Sequence, residues 1–146
     1  MTVSSEAVAV NGLGQVAIAT RDALTGRPGG CCLFTQGVFQ ALPTPSGAGC
    51  RITGLSEQGV VVGELRPAGS DQDEGVWWPQ GQMQSLPAGF LPSGINRSGL
   101  LVGRTAAGAA VWAQGAAVQA LTGKVRGVPS GAQIVGVVDV NDQGRM

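Results

Sequence analysis

The sequence predicts an all-β chain built from a repeated four-stranded unit, and three observations carry that expectation. The first is a recurring turn: Asn11-Gly12-Leu13-Gly14-Gln15, Ser56-Glu57-Gln58-Gly59-Val60, Asn96-Arg97-Ser98-Gly99-Leu100 and Asn141-Asp142-Gln143-Gly144-Arg145, with glycines 45, 40 and 45 residues apart. The second is a phrase between the turns, Phe34-Thr35-Gln36-Gly37, Trp78-Pro79-Gln80-Gly81 and Trp112-Ala113-Gln114-Gly115, followed by Leu42-Pro43, Leu86-Pro87 and Leu121-Thr122. The third is composition: 25 Gly and 8 Pro among 146 residues, 43% hydrophobic, suit short strands and tight turns better than a helical bundle. A period of this length marks supersecondary units that must stack to bury a core.

Each unit divides into four short β segments. In the second, Arg51-Ile52-Thr53-Gly54-Leu55 approaches the turn and Val60-Val61-Val62-Gly63-Glu64-Leu65 leaves it. β-Branched residues on both sides of a Gly-bearing turn read as a hairpin. A third strand follows at Gly75-Val76-Trp77-Trp78, and a fourth at Gln82-Met83-Gln84-Ser85-Leu86, where polar and apolar residues alternate. The third unit repeats this with Leu100-Leu101-Val102-Gly103, Ala110-Val111-Trp112 and residues 116–121. The first offers Gln15-Val16-Ala17-Ile18-Ala19, Cys32-Leu33-Phe34 and Val38-Phe39-Gln40-Ala41-Leu42. The last Gly of each turn suits a positive φ, and Asn at the turn head can bond its own backbone. Small residues on the strands (Ala17, Ala19, Gly63, Gly103) are expected to let neighbouring sheets approach, with Phe34, Trp78 and Trp112 filling the gaps between units.

Four strands in about 40 residues is the size of a β-propeller blade. The expected architecture is a partial propeller of three four-stranded blades plus one extra strand, in units 7–50, 51–93, 94–138 and 139–146 of one repeat domain. The rival is a β-sandwich, which accepts the same strands but not so regular a period. Both ends fall at nearly the same phase of the repeat, as expected for a piece of a longer array. End blades expose apolar faces and sheet edges, so the chain is expected either to be part of a larger propeller or to form a homodimer completing a six-bladed one.

The pattern Asn-x-x-Gly-x-Val-Val-Gly, then Phe or Trp, then Leu resembles the HAF-type extracellular repeat family of bacteria. Ile95-Asn96-Arg97-Ser98-Gly99-Leu100-Leu101-Val102-Gly103 carries it most closely, and Val140-Asn141-Asp142-Gln143-Gly144 matches its first half. The resemblance covers nearly the whole chain. It departs where the family's His-Ala-Phe triplet is replaced by Cys32-Leu33-Phe34, Val76-Trp77-Trp78 and Ala110-Val111-Trp112. The resemblance implies propeller-like, exported or surface proteins, extracellular or periplasmic, with no defined catalytic residues.

Chemistry is sparse. The absence of His removes histidine triads, histidine metal sites and histidine bases. Nine basic residues balance nine acidic ones, which lacks the excess expected of a nucleic-acid binder. No apolar run is long enough to predict membrane insertion as a helix, and Met1-Thr2-Val3-Ser4-Ser5-Glu6 lacks the basic start of a secretory signal. Gly12-x-Gly14 lies between strands and so does not predict a dinucleotide site; Ser56 does not match a nucleophile elbow. Lys124 reads as a solvated loop lysine, and the glycosylation sequon Asn96-Arg97-Ser98 is already explained as a turn. The candidate site is the acidic loop Asp71-Gln72-Asp73-Glu74-Gly75. There Asp71, Asp73 and Glu74 could wrap a hard cation such as calcium; the alternative is a solvent-exposed connector. Cys31 and Cys32 are adjacent, so either one bonds Cys50 in an exported protein, or all three stay buried or half-buried thiols. The expected function is non-enzymatic: a binding or display scaffold for protein or glycan partners. The alternatives are a structural spacer, or part of a propeller enzyme whose active site lies outside this chain.

Overall fold

The structure, a computed structural model, describes residues 3–121 and Val140. The fourth turn, the partial unit apart from Val140, and the Lys124 loop lie outside the described residues. The described chain contains no helix. Strands β1 (Val3–Val10), β2 (Val16–Asp22), β3 (Pro28–Thr35) and β4 (Val38–Ala41) form the first sheet. Strands β5 (Gly49–Leu55), β6 (Val61–Arg66), β7 (Glu74–Trp78) and β8 (Gln84–Ser85) form the second. Strands β9 (Leu91–Ile95), β10 (Leu101–Thr105), β11 (Gly108–Trp112) and β12 (Gln119–Ala120) form the third. Each is an antiparallel meander with strands in chain order, and none closes on itself.

The first hairpin of every sheet turns in the same way. Gly14, Gly59 and Gly99 have φ of 76, 83 and 86°, where an L side chain would be strained. Their amides donate to the carbonyls of Asn11, Ser56 and Asn96 at 3.1, 3.0 and 3.1 Å. The same three residues accept turn amides on their side chains: Gln15 N–H on Asn11 Oδ1 at 3.0 Å, Val60 N–H on Ser56 Oγ at 3.1 Å, Leu100 N–H on Asn96 Oδ1 at 2.9 Å. These bonds explain how three polar heads can be buried without cost from missing partners. They also account for the sequon, whose Asn96 is committed to its turn.

The unit closes alike as well. The amides of Leu42, Leu86 and Leu121 donate to the carbonyls of Cys31, Gly75 and Ala109 at 2.9, 3.0 and 2.9 Å, and all three leucines are buried. The recurring Leu therefore anchors the fourth strand to the third.

Every first strand carries one extra residue: Val8, Thr53 and Ser93 are skipped by the pairing with the second strand. Such a bulge bends the strand and sharpens its twist. It also corrects the expected role of two glycines. A Cβ on Gly63 would collide with the Arg51 carbonyl, and one on Gly103 with the Leu91 carbonyl, both on the partner strand of the same sheet. Those glycines accommodate the bulge, not a neighbouring sheet. Close approach between sheets falls instead at Gly54, where a Cβ would lie 3.2 Å from Gly94 Cα, and at Gly75, where it would strike the Phe90 carbonyl.

The sheets pack in series: β5 lies against β1, β2 and β3, and β9 lies against β5, β6 and β7. Alternation along β6 divides its side chains between two cores. Val61 and Leu65 join Ala17, Ala19, Leu33, Val76 and Trp78 between the first and second sheets. Val62 joins Trp77, Phe90, Ile95, Leu101 and Trp112 between the second and third. Trp78 donates its indole N–H to the Pro43 carbonyl at 3.0 Å, and Trp77 meets Trp112 edge to face at 5.4 Å. Phe34, expected to fill the same kind of gap, is only half-buried and meets Phe39 at 4.8 Å with the rings tilted by 51°. Its face of the first sheet points away from the second.

Alternation on β3 also settles the cysteine pairing. Cys31 points toward the second sheet and is bonded to Cys50, with Cα atoms 5.9 Å apart; Cys32 points to the opposite face and is a half-buried free thiol.

Candidate functional site

The first strands of all three sheets meet around one cleft of about 560 Å³. Its wall consists of residues 8–10 of β1, residues 53–57 from β5 and its turn, residues 93 and 95–97 from β9 and its turn, and Val140. β1, β5 and β9 each pair with a strand on one side only among the described residues. The cleft therefore lies where three strand edges and three bulges converge. Sequence periodicity located the turns, but the cleft arises from the bulges and the serial packing, which have no local signal.

Polar side chains hold the wall in place. Asn11 Nδ2 donates to the Ser56 carbonyl at 2.9 Å, and Gly12 N–H donates to Glu57 Oε2 at 2.8 Å, so the first turn is stapled to the second. A Cβ at Gly12 would lie 2.6 Å from that carboxylate oxygen, so a side chain there would displace the flexible end of Glu57. Thr53 Oγ1 donates to the Pro92 carbonyl at 2.9 Å and ties the second bulge to the third sheet. Among the described residues, Glu57 and Arg97 bring one charge of each sign to the wall, and no aromatic ring lines it. The tryptophans are instead consumed by the cores.

The acidic loop is elsewhere. Asp71 is exposed, Asp73 Oδ1 accepts the Arg66 Nε–H at 2.8 Å, and Glu74 is an exposed residue opening β7. Asp73 raises the Arg66 guanidinium above its ordinary value, through the hydrogen bond first and its charge second. Among the described residues no three Asp, Glu, Cys or His side chains converge to hold a metal ion.

One acid that sequence reading did not single out is Glu64, buried on β6 beside Arg51 Nη1 at 3.8 Å. Burial, and then repulsion from Asp73, push its carboxyl above the ordinary 4.5. The folded state thus binds this proton more tightly than the unfolded chain. The stabilisation is complete below about 4.5 and is lost as pH rises through the folded value. Glu64→Gln is expected to raise stability at neutral pH, where the parent must hold a buried carboxylate in its charged form. It should also flatten the decline in the urea midpoint that the parent shows as pH rises above 4.5. An unchanged pH profile in the variant would refute this assignment.

No family profile, characterised protein or solved structure matches this chain.

Proposed function

We propose that the three sheets are consecutive blades of a propeller-type array resembling the HAF-type repeats. In this reading the chain is a non-enzymatic scaffold that binds a partner at the cleft. The observation that carries it is the equivalence of the three sheets: each places its first strand and bulge at the same cleft. A propeller arranges its blades so, with innermost strands around an axis. Serial packing of three sheets also favours blades over a sandwich, which opposes two sheets face to face.

An extended protein segment is the favoured partner. Strand edges supply main-chain hydrogen bonds to an added strand, whereas glycan recognition leans on aromatic platforms, and none stands among the described residues of this wall. An exported setting is supported by the Cys31–Cys50 bond, because disulfides persist in oxidising compartments.

The test is to probe the folded chain against a displayed library of short peptides and, separately, a glycan array. Peptide retention that Arg97→Glu weakens at least about tenfold, a loss of 1.4 kcal/mol, is expected. Retention of glycans alone would replace the partner class. Retention of neither would leave the structural-spacer alternative.

A further inference from the structure

We infer that the Cys31–Cys50 bond is a redox latch: its reduction releases the first sheet from the second and leaves the second docked on the third. Register makes the two joints comparable residue by residue. The pairs Val16–Phe34, Val61–Trp78 and Leu101–Trp112 are equivalent, so Ala17–Leu33 of the first sheet answers to Val62–Trp77 of the second. Each of these two pairs is what its sheet presents to the next. By the same register Ala19–Cys31 answers to Glu64–Gly75. Across the joint, Cys50 precedes Arg51, the partner of Glu64, as Phe90 precedes Leu91, the partner of the equivalent Arg104. Gly75 approaches the Phe90 carbonyl at the place where Cys31 bonds Cys50.

The first joint therefore has Ala17, Leu33 and a disulfide where the second has Val62, Trp77 and a fully buried Phe90. Apolar burial grows with side-chain area, and Trp and Phe bury far more than Ala. The second joint is held by packing, the first in part by a bond that thiols exchange. After reduction the first sheet keeps Ala17, Ala19, Cys31 and Leu33 in the joint. It also keeps the staple from Asn11 and Gly12, but the bond to Glu57 is exposed to competing water. Release of the sheet carries β1 away from β5 and removes residues 8–10 from the wall of the cleft. The reductant is a dithiol. One of its thiolates attacks a sulfur of the Cys31–Cys50 bond and expels the other as a thiolate; its second thiol then displaces the protein from the mixed disulfide. The reductant leaves as a cyclic disulfide, and its two protons end on Cys31 and Cys50. Entry is through a recess of about 180 Å³ between β1, β2 and β5, which Cys50 lines.

The test is to treat the chain with dithiothreitol at neutral pH without denaturant, follow amide hydrogen exchange, and label thiols with iodoacetamide. Protection of the β2 and β3 amides is expected to fall at least about tenfold further than that of β10 and β11, the mark of one unit opening ahead of the rest. Cys31 and Cys50, 4% and 1% exposed in the bonded protein, should then alkylate within about tenfold of the free thiol Cys32. Peptide retention enters neither readout, so loss of the cleft's binding role leaves the latch standing, and failure of the latch leaves that role standing. A bond that stays oxidised, protection lost equally in all three sheets or in none, or reduced sulfurs that remain unreactive would each overturn the inference.

Discussion

Trp78→Ala is expected to destabilise the protein by roughly 3–5 kcal/mol, the cost of deleting a large aromatic from a packed core. Trp78 is 1% exposed, sits between the first and second sheets, and donates to the Pro43 carbonyl at 3.0 Å. Removing it leaves a cavity among Val61, Val76, Leu33 and Ile52, and leaves that carbonyl without its indole donor. Phe39→Ala is the internal comparison. Its ring lies on β4, on the outer face of the first sheet opposite Phe34, and is 67% exposed, so the monomer should lose less than about 1 kcal/mol. Urea unfolding at low protein concentration measures both. Equal losses at the two positions would contradict the burial described above.

Breaking the Cys31–Cys50 bond is expected to cost about 3 kcal/mol, from the chain entropy released when a loop of this length is opened. The sequence separation is 19 residues, and the bond joins β3 of the first sheet to β5 of the second. Its loss therefore loosens an interface as well as a loop. Reductant should lower the urea midpoint of the parent chain, and Cys50→Ser should lower it equally while abolishing the response to reductant. Cys32→Ser should leave the midpoint within about 0.5 kcal/mol, since that thiol is free and half-buried. A parent chain indifferent to reductant would sink the assignment.

Most strands were legible because their causes are local, although β1 and β9 were not singled out. A positive φ at the end of each hairpin selects Gly14, Gly59 and Gly99, and a polar head that bonds its own turn selects Asn11, Ser56 and Asn96. The recurring Leu follows from the amide that pins the fourth strand to the third. The acidic loop was legible as acidic but not as a constellation. Whether Asp73 turns to a cation or to Arg66 depends on the return of β6 beside it, which spacing does not reveal. Gly63 and Gly103 were recognisable as constrained positions, yet their reason was misjudged, since a bulge leaves no residue signature of its own.

By itself the sequence determined an all-β chain of repeated antiparallel hairpins, because alternation, turn chemistry and period are properties of neighbours in the chain. Tertiary structure decided which cysteine bonds Cys50, which aromatics are covered, that Glu64 is buried, and that three first strands share a cleft. Each of these depends on which face of one sheet meets the next. That choice is made by packing summed over a whole surface, and no short stretch of residues records it.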